Sequence, residues 1–301
     1  TGVQTCALPI SVDHQLLCKI MNKSFGVSGT ALDWITSYLQ SRSQQVVIGD
    51  TTSAKFKLDQ GVPQGSCLGP VMFTQYASSV FDIIHSHAKL AHDYVDDHQI
   101  YNSFHPDCLK QMITSMECCI SDVRRWMMSM KLKMNDAKTE YILIGTKQQL
   151  SKCQNVPITI GNSVIQPSDC IRNLGAYFDK NMSMDQHIKI KCKAAYAQLY
   201  NISKIRKYLD YKSAELLVHA LVHSHLDYCN SLLIGLPKYL IKKLQMVQNT
   251  AARVLCNVAK YDHISPILKK LHWLPIAYRI KFKVCLITFN ALHGIGPAYI
   301  R

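Results

Sequence analysis

Two adjacent carboxylates, Asp96 and Asp97, are the residues in this sequence best suited to chemistry. Like charges side by side repel, so a chain gains from placing them together only where a cation neutralises them. Mg2+ prefers such oxygen ligands, and a pair of ions held this way can clamp the attacking and leaving oxygens of a phosphoryl displacement. A solvated Asp-Asp turn is the competing reading, because Asp is common in turns. Other sets are weaker. His219 and His223 share a helical spacing that suits Zn2+, with His225 near, but no H-E-x-x-H glutamate and no clear third ligand accompanies them. Packed or solvated histidines are the better reading there, as for His85, His87 and His92. The 12 cysteines form no C-x-x-C pair and read as buried thiols of a reducing compartment. No Gly-rich loop followed by Lys-Ser/Thr is present, and Met-rich Trp126–Met130 reads as core.

The elements that must position the carboxylates follow from periodicity and punctuation. Leu90–Tyr94 and His98–Tyr101 read as two strands joined by a tight turn at Val95–Asp97. Before them, His14–Phe25 has helical apolar spacing with Gly26 as a stop, and Ser28 is the expected cap of a second helix carrying Leu32, Ile35 and Leu39. Gln44–Ile48 and Lys55–Leu58 read as a strand pair, Gly61–Gly65 as a punctuated loop, and Gly69–Ile84 as one buried helix with Pro70 in its first turn. A long helix is expected over Pro106–Met130. Strands follow at Tyr141–Ile144, Ile158–Ile160, Val164–Ile165 and Asn173–Phe178. This order predicts an α+β domain with an antiparallel sheet and helices on one face. After about Ser183 only helices are expected: His187–Tyr208, Ser213–His225, Tyr239–Val258, Ile264–Leu271 and Ala277–Leu292, with prolines between them.

Charge divides the chain in the same way. Residues 1–140 hold 12 Lys/Arg against 13 Asp/Glu, whereas residues 141–301 hold 22 against 7, within a net charge of +14. A basic half beside a near-neutral, carboxylate-bearing half suits a nucleic-acid enzyme, and a solvated basic surface is the alternative. No apolar run approaches the ~20 residues that span a bilayer, so no membrane partner is expected.

Three motifs frame the carboxylates: GVPQGSCLGPVMF (Gly61–Phe73), YVDD (Tyr94–Asp97) and NDAKTEYILIG (Asn135–Gly145). In this order and spacing they resemble the reverse transcriptases of non-LTR, LINE-type retrotransposons. The resemblance runs on through IRNLGAYFD (Ile171–Asp179), VQNTAARVL and HWLPIAYRIKFK (His272–Lys283), the last two typical of jockey-like elements. It implies a polymerase palm over residues 11–180 and an all-α thumb and C-terminal region over 181–301. It also implies Asp96 and Asp97 as Mg2+ ligands and catalytic residues, with Lys138 beside the nucleotide phosphates. Gly61, Pro63, Gln64, Gly65 and Tyr94 are implied as the substrate-positioning residues, although the glycines could serve the turn alone and Lys138 could be a solvated strand-edge residue. Lys189, Lys191, Lys193, Lys204, Arg206 and Lys207 would hold nucleic acid by its phosphates. The implied partners are an RNA template, a DNA primer and deoxynucleoside triphosphates, in the cytoplasm and nucleus.

The sequence departs from the family pattern at Val95 (usually Ala), His98 (usually Thr), Asp59-Gln60 and His92-Asp93, by drift or by decay of an inactive copy. Residues 1–10, TGVQTCALPI, look like a translated sequencing adapter, and are expected to lie outside the fold. Only Ser11-Val12-Asp13-His14 remains of the segment that carries the family's first metal-binding aspartate, which in that register falls on Gln4. The chain is therefore expected to be an N-terminally truncated polymerase that does not extend a primer. A non-catalytic nucleic-acid-binding relic or repurposed module is the alternative.

Overall fold

A computed structural model describes residues 2–6 (backbone), 11–63, 65–87, 89–94, 97–153 and 156–300. The chain divides into two compact units, Thr1–Asp169 and Cys170–Arg301.

The first unit begins with β1 (Gly2–Cys6), followed by α1 (His14–Phe25) and α2 (Thr30–Leu39). Asp13 caps α1 by accepting the Leu16 N–H at 2.8 Å, and the expected stop at Gly26 ends it in the left-handed conformation. The cap of α2 is Gly29, at φ 56°, rather than Ser28: a backbone turn replaces the expected side-chain cap. The expected strand pair is split into two short ribbons. β2 (Ser43–Gln44) pairs with β5 (Phe56–Lys57), and β3 (Val47–Ile48) with β4 (Thr51–Thr52). The expected Gly69–Ile84 helix is also two, α3 (Gly69–Ala77) and α4 (Val80–Ser86). The break falls at Ser78-Ser79, where the Ser78 hydroxyl donates to the Gln75 carbonyl and Ser79 Oγ accepts from Trp126 Nε1.

β6 (Leu90–Tyr94) and β7 (Asp97–Tyr101) form the anticipated antiparallel pair. After a 3-10 turn at Pro106–Cys108 comes α5 (Leu109–Ser129), then β8 (Glu140–Ile142), α6 (Lys147–Lys152), β9 (Ile158–Ile160) and β10 (Ser163–Ile165). The main sheet has the order β6-β7-β1-β8, with every pairing antiparallel. Residues 2–6 thus occupy an inner strand of the sheet, contrary to the expectation that they lie outside the fold. A strand slot is filled by backbone N–H and C=O groups, and this segment has no proline to interrupt them. Helices and sheet close over one core that includes Phe73, Tyr76, Ile100, Met116, Ile120 and Tyr141.

The second unit opens with a hairpin, β11 (Cys170–Asn173) and β12 (Ala176–Asp179), where the sequence suggested a single strand over Asn173–Phe178. Leu174 and Gly175 both have positive φ, 44° and 82°, which reverses the chain in two residues. The hairpin belongs with the helices because Asp179, almost fully buried, accepts the backbone N–H groups of Asn181, Ser183 and Met184 at the entry to α7 (Asp185–Ile205). This places the division at Asp169/Cys170, ahead of the expected boundary after Lys180. α8 (Tyr211–Val218), a π-helical turn (His219–His223) and α9 (Ser224–Asp227) occupy the span expected as one helix. α10 (Lys238–Cys256), α11 (Ile264–Lys270) and α12 (Ile276–Leu292) fall within a residue or two of their sequence positions. Ile188, Ala195, Leu199 and Ile202 are the buried face of α7, as their spacing indicates. Among the described residues, no helix is long and apolar enough to cross a membrane.

Candidate functional site

Asp97 is the first residue of β7 and the register partner of Tyr94. Asp96 and Gln64, both expected at the site, lie outside the described residues. β7 and β8 are each antiparallel to β1, so they run parallel and begin at the same end of the sheet. Lys138, exposed on the 3-10 turn Asp136–Lys138 just ahead of β8, therefore shares that end with half-buried Asp97 and with Tyr94, which is 61% exposed. Lys138 sits on a turn two residues ahead of the edge strand β8 and is solvent-exposed. The turn is braced by Asp136, whose carboxylate takes the Arg124 guanidinium at 2.5 Å.

The Gly61–Gly65 loop is anchored at both ends. The Gly61 N–H donates to the Val12 carbonyl at 2.7 Å, and the His14 ring contacts the Gly61 carbonyl at 2.7 Å. Downstream, the Ser66 hydroxyl donates to the Pro63 carbonyl at 2.7 Å and accepts the Gly69 N–H that opens α3. Gly61 and Gly65 have φ of 87° and 78°, so both positions require glycine for the backbone alone. A Cβ at Gly65 would meet no described atom within 4 Å, so its backbone faces open space.

β1 sets Cys6 opposite Asp97 and Gln4 opposite Gln99, and residues 1–12 contain no Asp or Glu. The first carboxylate, Asp13, is committed to capping α1 and to Lys131 Nζ at 2.5 Å. That hydrogen bond with Lys131 and the Leu16 N–H hold its carboxyl below the ordinary aspartate range. Among the described residues no three of His, Cys, Asp and Glu gather into a metal-holding group.

Two departures from the family pattern meet in the structure. His98 and Asp93 are register partners across β6 and β7, and His98 Nδ1 lies 3.0 Å from Asp93 Oδ1, too misaligned for a hydrogen bond. His98 is fully buried. The sequence shows these residues as isolated oddities, because their pairing depends on the hairpin register.

In the second unit, Lys189, Lys193, Lys204 and Lys207 are exposed, whereas Lys191 and Arg206 are half-buried. Arg206 is turned inward, donating to the Leu255 carbonyl through Nε and Nη2 and to the Leu209 carbonyl through Nη1. Burial lowers the Lys191 pKa, and its ammonium sits 4.8 Å from the Tyr228 ring centroid. Lys204 covers Tyr200 at 4.3 Å and Lys207 covers Tyr208 at 4.8 Å. Lys243 and Tyr239 form a similar pair that sequence inspection missed, at 5.5 Å. Interleaved cations and rings of this kind suit phosphates and base faces together. His219 and His223 contact each other at 3.0 Å between Nδ1 atoms and pack on Trp273, with His223 buried and its pKa lowered to about 4 by that burial. Cys119 is a buried thiol with its pKa raised to about 11 by burial, but Cys67, Cys108, Cys118 and Cys285 are exposed.

Residues 10–178 match the family described as reverse transcriptase (RNA-dependent DNA polymerase). The chain is similar to the probable RNA-directed DNA polymerase from transposon BS of Drosophila melanogaster, 23% identical over 173 residues that cover 56% of this chain and 19% of that protein. It is also similar to the corresponding polymerase from transposon X-element of the same organism, 20% identical over 227 residues, or 73% of this chain and 24% of that protein. The chain therefore spans about a fifth to a quarter of the length of these curated relatives. Among solved structures it is similar to telomerase from Candida albicans in complex with a fragment of telomeric RNA. The TM-score is 0.40 at 11% identity, covering 91% of this chain and 51% of that one.

Proposed function

We propose that this chain, which belongs to the reverse transcriptase (RNA-dependent DNA polymerase) family, is part of a non-LTR, jockey-like retrotransposon polymerase that binds an RNA template and a DNA primer but does not itself extend the primer. The observation that carries the reading is the end of the sheet where Asp97, Tyr94 and Lys138 come together, within the stretch that matches the family. In the parent chemistry, a primer 3′-hydroxyl attacks a deoxynucleoside triphosphate. Lys138 would neutralise phosphate charge, and the backbone of the Gly61–Gly65 loop would approach template base and nucleotide closely. Mg2+ is the cation that Asp96 and Asp97 would hold. The donors present do not complete its site, so no step is assigned to it. The exposed lysines of α7 would contact phosphates irrespective of sequence, in the cytoplasm and nucleus.

Primer extension on an RNA template with Mg2+ tests the loss of activity. The expected result is no extension; robust extension that disappears in Asp96→Ala would overturn it. Binding is tested by filter titration with an RNA–DNA hybrid, where affinity should fall steeply as salt rises. The lack of a carboxylate on β1 favours a second reading, a non-catalytic nucleic-acid-binding relic or repurposed module. An upstream reading frame with stops or a changed carboxylate would support it over the polymerase fragment.

A further inference from the structure

The outward face of α2 carries a stack that the polymerase chemistry leaves unused. Trp34 and Tyr38, four residues apart, have ring centroids 5.6 Å apart and planes within 13°. The Arg42 guanidinium carbon lies 4.2 Å from the Tyr38 ring centroid, and its Nε donates to the Tyr38 carbonyl at 2.5 Å, which fixes the planar group in place. The neighbouring face of the helix is packed: Leu39 is buried, and both Ile35 and Tyr38 lie against the core, so Tyr38 anchors the stack. Trp34, by contrast, remains 56% exposed. Arg42 also borders a cleft of about 730 Å³ whose lining includes His14, Gln44, the Lys57–Asp59 ion pair, Gln60 and the Gly61–Pro63 segment. Arg42, at one end of the stack, thus reaches the cleft that the Gly61–Pro63 segment lines.

We propose that Trp34, backed by Tyr38 and Arg42, is a stacking platform for an unpaired base of the single-stranded RNA template. A flat, rigid ring with water on its open side accepts any base, because every base has a π face. The adjoining cleft offers the Arg42 guanidinium, His14 and the amides of Gln44 and Gln60 beside an already paired Lys57–Asp59, groups that suit a nucleic-acid strand better than an apolar protein segment. The proposal rests on the reading of the chain as a template-binding protein.

The test uses the full chain and two probes: a blunt RNA–DNA hybrid, and the same hybrid with a 5′ single-stranded RNA extension. The extended probe should bind more tightly, and Trp34→Ala should weaken its binding by roughly tenfold while leaving the blunt probe unchanged. Trp34→Phe should restore most of the difference. The stacking increment should also survive salt that weakens the blunt hybrid. Equal binding of both probes by the unmodified chain would overturn this proposal alone. Failure to bind either would overturn the wider reading and this one with it. A Trp34→Ala chain that loses both probes equally, or keeps both while changing oligomeric state, would show that the ring serves the fold or a protein contact and would overturn the platform.

Discussion

His98 and Asp93 show how a residue acquires meaning from its partner. Each departs from the family pattern, and each would be costly alone: a buried imidazole on one strand, a mostly buried carboxylate on the other. Opposed across the hairpin, they bring His98 Nδ1 to 3.0 Å from Asp93 Oδ1. His98→Thr should therefore cost on the order of 2–3 kcal/mol, because it leaves the Asp93 carboxylate without its neighbour. Adding Asp93→Leu should recover part of that loss. Urea denaturation of the two single variants and the double variant measures the coupling; strict additivity would mean the contact contributes nothing. The turn at Gly61 was legible from its glycine and proline punctuation, whereas the inward turn of Arg206 was not, because its carbonyl acceptor at Leu255 is remote in sequence.

Caps and turns decide which elements the sequence reveals. α1 was readable because its apolar spacing and the Gly26 stop are local signals, whereas its Asp13 cap was not anticipated. The hairpin β11–β12 was missed because Leu174, a residue that rarely adopts positive φ, does so at its turn. The turn is held from outside, where the Tyr228 hydroxyl donates to the Leu174 carbonyl. Tyr228 also closes the space at Gly175, where an added Cβ would lie 3.1 Å from its ring. Gly175→Ala should accordingly destabilise the chain by about 2 kcal/mol, combining backbone strain with displacement of that ring. The change should appear in chemical denaturation; a loss under about 0.5 kcal/mol would show that the turn relaxes freely. The division of α3 from α4 has the same origin, since Trp126 reaches Ser79 from a helix far along the chain.

At the scale of the molecule, each unit has its own core, and the helical one carries two buried histidines with lowered pKa. His187 is brought to about 4 by burial and then by Lys191, and its Nδ1 accepts the Tyr177 N–H. His223 is brought to about 4 by burial, then by Arg279 and His219, with Asp227 opposing the shift. The unfolded chain, with histidine near 6.5, binds more protons than the folded chain between those values. Stability from these residues is complete above pH ~6.5 and is lost as pH falls toward 4, on the order of 2–3 kcal/mol each. Urea midpoints measured between pH 7.5 and 4.5 should fall accordingly, and His187→Gln with His223→Gln should flatten the slope. An unchanged slope in that double variant would reassign the acid sensitivity to other groups.

The sequence by itself determined the α+β-then-helical order, most helix positions, the Tyr94–Asp97 hairpin and the uneven charge. All of these are set by periodicity, short-range capping or composition. Only the tertiary structure decided that Gly2–Cys6 fills an inner strand, because strand pairing uses backbone groups common to nearly every residue. It alone set Asp93 against His98, and brought Asp97 and Lys138 to one end of the sheet. It also left Trp34 stacked on Tyr38 with more than half of its surface exposed. Those arrangements depend on strand register and on packing between distant segments, which local sequence pattern does not encode.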